Sequence, residues 1–449
     1  MRMKRFWIAT MLAVGANCAA PTVRAADLAT VMAEAIAYDA GYAAARAAAE
    51  IGREAVPRAR AALLPRIDAG WGRAYNQVET EDFPAVRYWQ NGWSVGLTQP
   101  VFDWGRWMAY RQASLAEARA EVELARFRQD LLLRVSRAYF GYLAADDEAA
   151  RATGYLKAVT EQRTLIERRR AGGEATVVDA REAQAQVIAA QLMQANARTA
   201  QQASRRAIET LIGRPFVACS RLPAVIAPMR RAPDADERWI DRAGTKSYPV
   251  QLAEIEVSNA QYETRKVRAQ QYPVVAVTGS HSPAGSASGY ARPTTTTTAM
   301  LTVTLPVFAG GEMQASLRAA LASEDKFNSA LHSAARQASA DARESLRKLH
   351  WAGEQHALLG QLVQSREDTL AATRIGYTAG SRANLDVLRA LDALYLARQE
   401  QLRASYDMLL AFLQLKADVA ALSFDDIAHV DNLLVNRDPS NSECNASER

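Results

Sequence analysis

The residues able to do covalent or metal chemistry are few and poorly placed for it. His281, His332, His350, His356 and His429 form no HExxH pair and no ligand cluster, so no metal site is indicated. No GxSxG motif occurs, and no cysteine and histidine are placed to act as a nucleophile and its base. A hydrolase fares badly on these grounds, no cofactor is called for, and the chain reads as a non-enzyme. The chemistry that remains is ionic. Asp179 follows Gly172 and Gly173, while Asp386 follows Gly380 with Arg382 and Arg389 beside it. A carboxylate soon after a glycine-marked reversal reads first as a helix N-terminal acid that complements the macrodipole, with the arginines as solvated bases.

The elements that carry these residues are written twice. The string from Gln99 to Gly105, with Pro100, Val101 and Phe102, returns 206 positions later as Leu305 to Gly311, with Pro306, Val307 and Phe308. Leu63-Leu64-Pro65 returns as Gln271-Tyr272-Pro273, and Gly173 with Asp179 returns as Gly380 with Asp386. Internal repetition of this length points to two copies of one supersecondary unit. The division expected is 1–25, 26–215, 216–237, 238–422 and 423–449: leader, first repeat, linker, second repeat, and C-terminal segment with a polar tail.

Residues 1–25 have the pattern of a signal peptide: a basic start at Arg2, Lys4 and Arg5, an apolar run from Phe6 to Ala16, and Val23-Arg24-Ala25 before the cleavage point. The run is short of the ~20 residues that a spanning helix needs. Cys18 lacks the preceding leucine of a lipobox, which argues against acylation. Removing the leader lowers the formal charge from +5 to +1, so the basic balance carries no argument for nucleic acid. Of the remaining cysteines, Cys219 and Cys444 are compatible with a disulfide without requiring one.

Each repeat has the same order: a helix, two strand-like segments about a polar loop, a very long helix, a glycine-marked turn and a shorter returning helix. Thr30 to Leu64 reads as helix with a local break at Pro57. Ile67, Ala69, Trp71, Arg73 and Tyr75 alternate with small or polar neighbours, as do Trp89 to Leu97 and Ala299 to Leu305. Segments of about 9–11 residues with this alternation match tilted strands through a bilayer, with aromatics at headgroup level. A soluble hairpin packed on helices is the competing reading, but its second face would carry more Lys and Glu. Four strands are too few to close a barrel, so closure requires association: two chains would supply eight strands and three would supply twelve.

From Gly105 to Ala171 no proline intervenes, and a single helix about 100 Å long is expected. Phe127, Leu131, Val135, Ala138 and Tyr142 form its apolar stripe. A return of about 40 residues ends near Gly213 and Pro215. The second repeat runs from Gly310 to Ala379 and back from Ser381 to about Leu422, with Leu388, Tyr395, Leu402 and Leu409 as a heptad seam. The matching first-repeat helix is rich in Ala and Gln and shows no such seam.

Over essentially the whole mature chain, this sequence resembles the TolC family of outer-membrane efflux and secretion channels. The resemblance rests on the two Pro-Val-Phe strand exits at Pro100 and Pro306 and on Tyr377-Thr378-Ala379-Gly380-Ser381-Arg382-Ala383-Asn384-Leu385-Asp386-Val387-Leu388. It implies a mainly α protein with a membrane β-barrel: a homotrimer whose twelve-stranded barrel continues into a long α-helical coiled-coil periplasmic tunnel, internally duplicated. Residues 216–237 and 423–449 would then build an equatorial belt, bringing Cys219 and Cys444 within reach of each other.

By the same resemblance Asp386 would form an acidic ring at the periplasmic constriction, with Arg389 standing where some members carry a second aspartate. Tyr377 and Arg382 would tie neighbouring tip hairpins together, with Asp179 as an acidic partner. Such an Arg–carboxylate latch is geometrically specific but modest in strength when solvated. Gly172, Gly173 and Gly380 would shape the tips where an adaptor docks. Partners implied are two further copies, a periplasmic adaptor, an inner-membrane ABC or other export transporter, outer-membrane lipid and exported cargo. Without a lipobox the chain leans toward the type I secretion branch, which exports RTX toxins such as cyclolysin. Small-molecule efflux and a non-pore trimeric coiled-coil envelope protein are the alternatives.

Overall fold

The structure, a computed structural model, describes residues 27–216, 220–221, 234–284 and 294–436. The expected signal peptide with Cys18, and also Cys219 and Cys444, lie outside these residues. In chain order the elements are α1 (Leu28–Tyr38), α2 (Ala40–Arg53), α3 (Ala55–Ala61), β1 (Arg66–Thr80), β2 (Phe83–Phe102), α4 (Trp104–Ala171), α5 (Val177–Ile212), β3 (Ser220–Arg221), α6 (Asp234–Lys246) and α7 (Tyr248–Ala269). There follow β4 (Val274–Ala284), β5 (Thr294–Thr304), α8 (Glu312–Thr378), α9 (Asn384–Asp418), α10 (Phe424–Asp431) and β6 (Val435–Asn436). The chain divides into two compact units, one of Met1–Glu34, Ala138–Ile226 and Ile427–Arg449, the other of Ala35–Arg137 and Ala227–Asp426. Among the described residues no helix is long and apolar enough to cross a membrane.

The second unit holds a four-stranded antiparallel sheet in the order β1-β2-β4-β5. Its register places Ile67 opposite Leu97, Trp71 opposite Trp93 and Tyr75 opposite Trp89 on one face, continued by Val277 opposite Leu301 and Val275 opposite Val303. Thr98, Thr278, Ser94, Ser280 and Thr298 share the other face. Trp71 is 73% exposed and Leu301 64%, so the apolar face covers no core of its own chain. β4 and β5 have the 11-residue length expected.

The first hairpin is longer than expected, at 15 and 20 residues. The alternation continues past Tyr75 with polar residues, Asn76, Gln77 and Glu79, which mask the strand in composition. The hairpin turns at Glu81-Asp82, where Asp82 takes φ +68. Pro100 lies inside β2, and the ladder to β4 shifts register between Pro100 and Phe102. A proline has no N–H for the ladder, which is why it occurs at such an irregularity. Pro306 and Phe308 follow the end of β5.

The long helices start by different devices. Asp103 accepts the Arg106 N–H at 2.9 Å ahead of α4, whereas α8 follows two left-handed glycines, Gly310 at φ +58 and Gly311 at φ +88. Only glycine takes that conformation without a Cβ penalty. In the chain's first helical stretch the break expected at Pro57 falls three residues ahead of it, and a second break precedes that one. One break is at Asp39, whose carboxylate accepts the Tyr42 N–H at 2.6 Å, and the other is at Glu54. Pro57 sits in the first turn of α3, where its missing N–H breaks no helical bond.

In the second unit α8 and α9 pack as an antiparallel pair, burying Leu346, Leu349 and Leu359 on one helix and Leu388, Leu391, Tyr395 and Leu409 on the other. In the first unit the facing positions of α5 are Ala183, Val187, Ala190 and Ala197, all buried, and Ala149, Ala152 and Ala197 form one cluster. Glutamines on α5 reach across to α4: Gln194 Nε2 donates to Thr153 Oγ1 at 3.0 Å and Gln184 accepts from Arg163 at 3.1 Å. An alanine seam flanked by glutamine hydrogen bonds accounts for the composition of that helix. On α4 the expected stripe holds at Leu131, Val135 and Tyr142, but Phe127 is 52% exposed. α9 stops at Asp418, short of Leu422, because Ala420 takes φ +51 and the Ala421 N–H returns to the Lys416 carbonyl at 2.9 Å. A reversal of this kind usually announces itself with glycine.

Candidate functional site

The residues singled out for function fall in two helical turns and two strand exits. In the first turn α4 ends with the Gly172 N–H on the Arg168 carbonyl (3.2 Å) and the Glu174 N–H on the Arg169 carbonyl (2.9 Å), while Gly173 takes φ +80. Thr176 then caps α5. Its hydroxyl accepts the Asp179 N–H at 3.1 Å, and Asp179 Oδ2 accepts from the Thr176 N–H at 2.9 Å and from its hydroxyl at 2.7 Å. Two otherwise unpaired donors are satisfied reciprocally, a capping box.

The second turn repeats the plan with different residues. Gly380 takes φ +75 and its N–H donates to the Tyr377 carbonyl at 3.2 Å. The Gly376 carbonyl accepts three donors: the Ser381 N–H (2.9 Å), the Ser381 hydroxyl (3.1 Å) and the Arg382 N–H (3.2 Å). A Cβ at Gly376 would come within 2.8 Å of Arg382 Cγ, so glycine lets the Arg382 side chain fold back against the end of α8. This position was not singled out from sequence, and neither was Asn384, which is buried at the start of α9. Asp386 Oδ2 accepts the Ala383 N–H at 3.2 Å, and Ala383 has no side-chain oxygen to complete the box.

Asp179 and Asp386 are therefore both third-position acids of a returning helix, as the dipole argument expects. Tyr377, Gly380, Arg382, Asp386 and Arg389 share one turn in the second unit; Gly172, Gly173 and Asp179 share the other in the first. Arg382 and Arg389 are exposed, and among the described residues neither makes an ion pair within the chain. Both arginines are thus free to meet a neighbouring molecule. The strand exits are apolar and bare: Phe102 is 42% exposed and Phe308 87%. Among the described residues no three His, Cys, Asp or Glu side chains converge as a metal site.

The sequence profile described as outer membrane efflux protein matches residues 31–214 and 239–419, most of the chain. This chain belongs to that family. The family is one of transport channels, and the protein is an outer-membrane efflux or secretion channel of the TolC type, with a β-barrel and a large periplasmic helical portion. The chain is 31% identical over 395 residues to the alkaline protease secretion protein AprF of Pseudomonas aeruginosa, covering 84% of this chain and 81% of the relative. It is 26% identical over 435 residues to the proteases secretion protein PrtF of Dickeya chrysanthemi, covering 93% of each. Among solved structures, the outer membrane protein VceC of Vibrio cholerae superposes with TM-score 0.76 at 17% identity, over 88% of this chain and 96% of that one. That likeness establishes the fold.

Proposed function

We propose that this channel is the passive outer-membrane conduit of a type I protein secretion system. It works as a homotrimer that engages a periplasmic adaptor and an inner-membrane transporter, which supplies the energy. The observation that carries the conduit is the sheet itself, whose four strands leave β1 and β5 as open edges and turn an aromatic face away from the chain's own core. Unpaired edges do not survive within a bilayer, so the ladder must close on other copies. Three copies give twelve strands, with the threonine and serine face lining the lumen. Similarity to two protease secretion proteins over more than four-fifths of the chain favours a protein cargo.

At the tip, Asp386 from the three copies forms the acidic ring of the constriction, and Arg389 one turn on reduces its affinity for cations. Arg382 and Tyr377 bind the neighbouring hairpin, with Asp179 as the acidic partner. The exposed turns at Gly172-Gly173 and Gly380 receive the adaptor.

The test is single-channel conductance of the detergent-purified protein in a planar bilayer, with its oligomeric mass measured alongside. A trimer with a small, cation-blocked conductance supports the conduit, and a non-conducting monomer overturns it. The cargo is tested by replacing AprF with this chain in cells that carry the remaining alkaline protease export components. Export of the protease supports type I secretion; restored drug resistance without export assigns the channel to small-molecule efflux.

A further inference from the structure

At the joint between α6 and α7 the chain leaves a half-open chamber of about 260 Å³, walled by α4, α8 and α9. Gln129 and Ser247 line it and are only 8% and 3% exposed. Gln129 Nε2 donates to the Ala417 carbonyl at 3.0 Å, but Gln129 Oε1 and Ser247 Oγ are buried with no partner in the protein. Ser247 stands at the N-cap of α7, yet its hydroxyl makes no cap hydrogen bond. Buried polar atoms of this kind favour a ligand that supplies donors.

The charges in the wall decide what kind. Asp130 has Arg126 at 3.8 Å. Asp341 is held by the Gln337 amide at 2.8 Å, and Asp418 by the Ser345 hydroxyl and the Gln414 amide, all neutral donors. Neither Asp341 nor Asp418 has an ion-pair partner among the described residues, and the nearby cations Arg137 and Lys348 are engaged by Gln414 and Glu344. The same Asp341, Gln414 and Asp418 also wall a wider cavity of about 670 Å³ that reaches the exposed Trp351.

We propose that the chamber binds the primary ammonium of a small organic amine. Its N–H groups donate to Gln129 Oε1 and Ser247 Oγ, and Asp341 and Asp418 supply the countercharge. A bare metal ion fits less well, because no three ligating side chains converge among the described residues. At about 30 Å³ per water the chamber admits a short alkyl amine, while most drug-sized ligands need more room. The site lies apart from the tip residues and does not depend on which cargo the channel exports.

Calorimetric titration of the full detergent-purified chain with 1,4-diaminobutane, and with the neutral 1,4-butanediol, tests this. Saturable binding of the diamine is expected, with the diol about tenfold weaker or worse, since hydrogen bonds to charged groups are the stronger ones. Gln129→Met and Ser247→Ala each remove one acceptor and weaken the diamine about fivefold or more, at unchanged circular dichroism and oligomeric mass. Asp386→Asn leaves the binding as it was, which separates this site from the tunnel entrance. Absence of saturable binding, equal binding of the diol, or parent-like binding by whichever of the two acceptor variants folds overturns the proposal.

Discussion

Asp179 and Asp386 hold the same post in two copies of one turn, and their neighbours decide how committed each carboxylate is. Thr176 returns a hydroxyl to Asp179, while Ala383 meets Asp386 through its backbone alone. Asp386 is thus the less encumbered acid, which suits the constriction ring proposed for it. On the proposed ring of three charges, replacing Asp386 with Asn is expected to weaken block of the pore by multivalent cations from the periplasmic side by about tenfold or more; a blocker titration in planar bilayers reads this directly. Among the described residues Arg382 makes no ion pair, so its charge is available to a neighbouring hairpin. Arg382→Ser is expected to raise the conductance of the isolated channel by loosening that contact, and single-channel recording checks it. The glycines and acids of both turns were legible in the sequence because a reversal needs positive φ and a helix start favours a carboxylate. Gly376 was not, since its role comes only from the path of Arg382.

At the scale of elements, the seam of α9 was legible because leucine and tyrosine recur at heptad spacing, while that of α5 was hidden because alanine does the packing. Apolar periodicity measured by large side chains misses a seam built from close backbone approach. The stop of α9 was missed for a related reason, an alanine standing where glycine is usual. Beyond that stop, Lys416 Nζ lies 2.9 Å from Asp426 Oδ1 and ties α9 to the start of α10. Burial pushes the Asp426 carboxyl up, but the Lys416 ammonium together with the Ser423 amide and hydroxyl outweighs it and holds the group below the usual carboxylate range. A depressed native pKa adds stability that is complete above the unfolded value, about 3.9, and is lost as pH falls through the native one. Lys416→Met is therefore expected to cost about 1.5–3 kcal/mol at pH 7. The difference in Tm from the parent narrows as the pH falls below the unfolded value and on through the depressed native pKa of Asp426.

For the whole molecule, the sheet register puts Trp71 and Trp93 side by side on the lipid-facing surface, and Arg73 stacks 4.4 Å over Trp89 nearer the hairpin end. The apolar band is therefore shorter than the first hairpin, whose end carries polar and acidic residues beyond it. Trp71→Arg is expected to destabilise the assembled barrel by about 1 kcal/mol or less, the cost of Arg near the membrane interface where the strand aromatics sit. Loss of the trimer at lower temperature on a heated gel is the measurement.

The sequence by itself determined the secondary-structure plan, the duplication and the membrane character of the strands. Period-two alternation, proline-free helical stretches and glycine reversals are local properties, and local properties survive in one dimension. The tertiary structure decided what depends on which residues meet: the strand order β1-β2-β4-β5, the alanine seam of α5 with its glutamine bridges to α4, and the chamber at the α6–α7 joint where Gln129 Oε1 and Ser247 Oγ lack partners. Those features arise from groups 21 and 41 residues apart in the glutamine bridges and more than a hundred apart in the β2–β4 pairing and the chamber, separations that no local pattern of amino acids encodes.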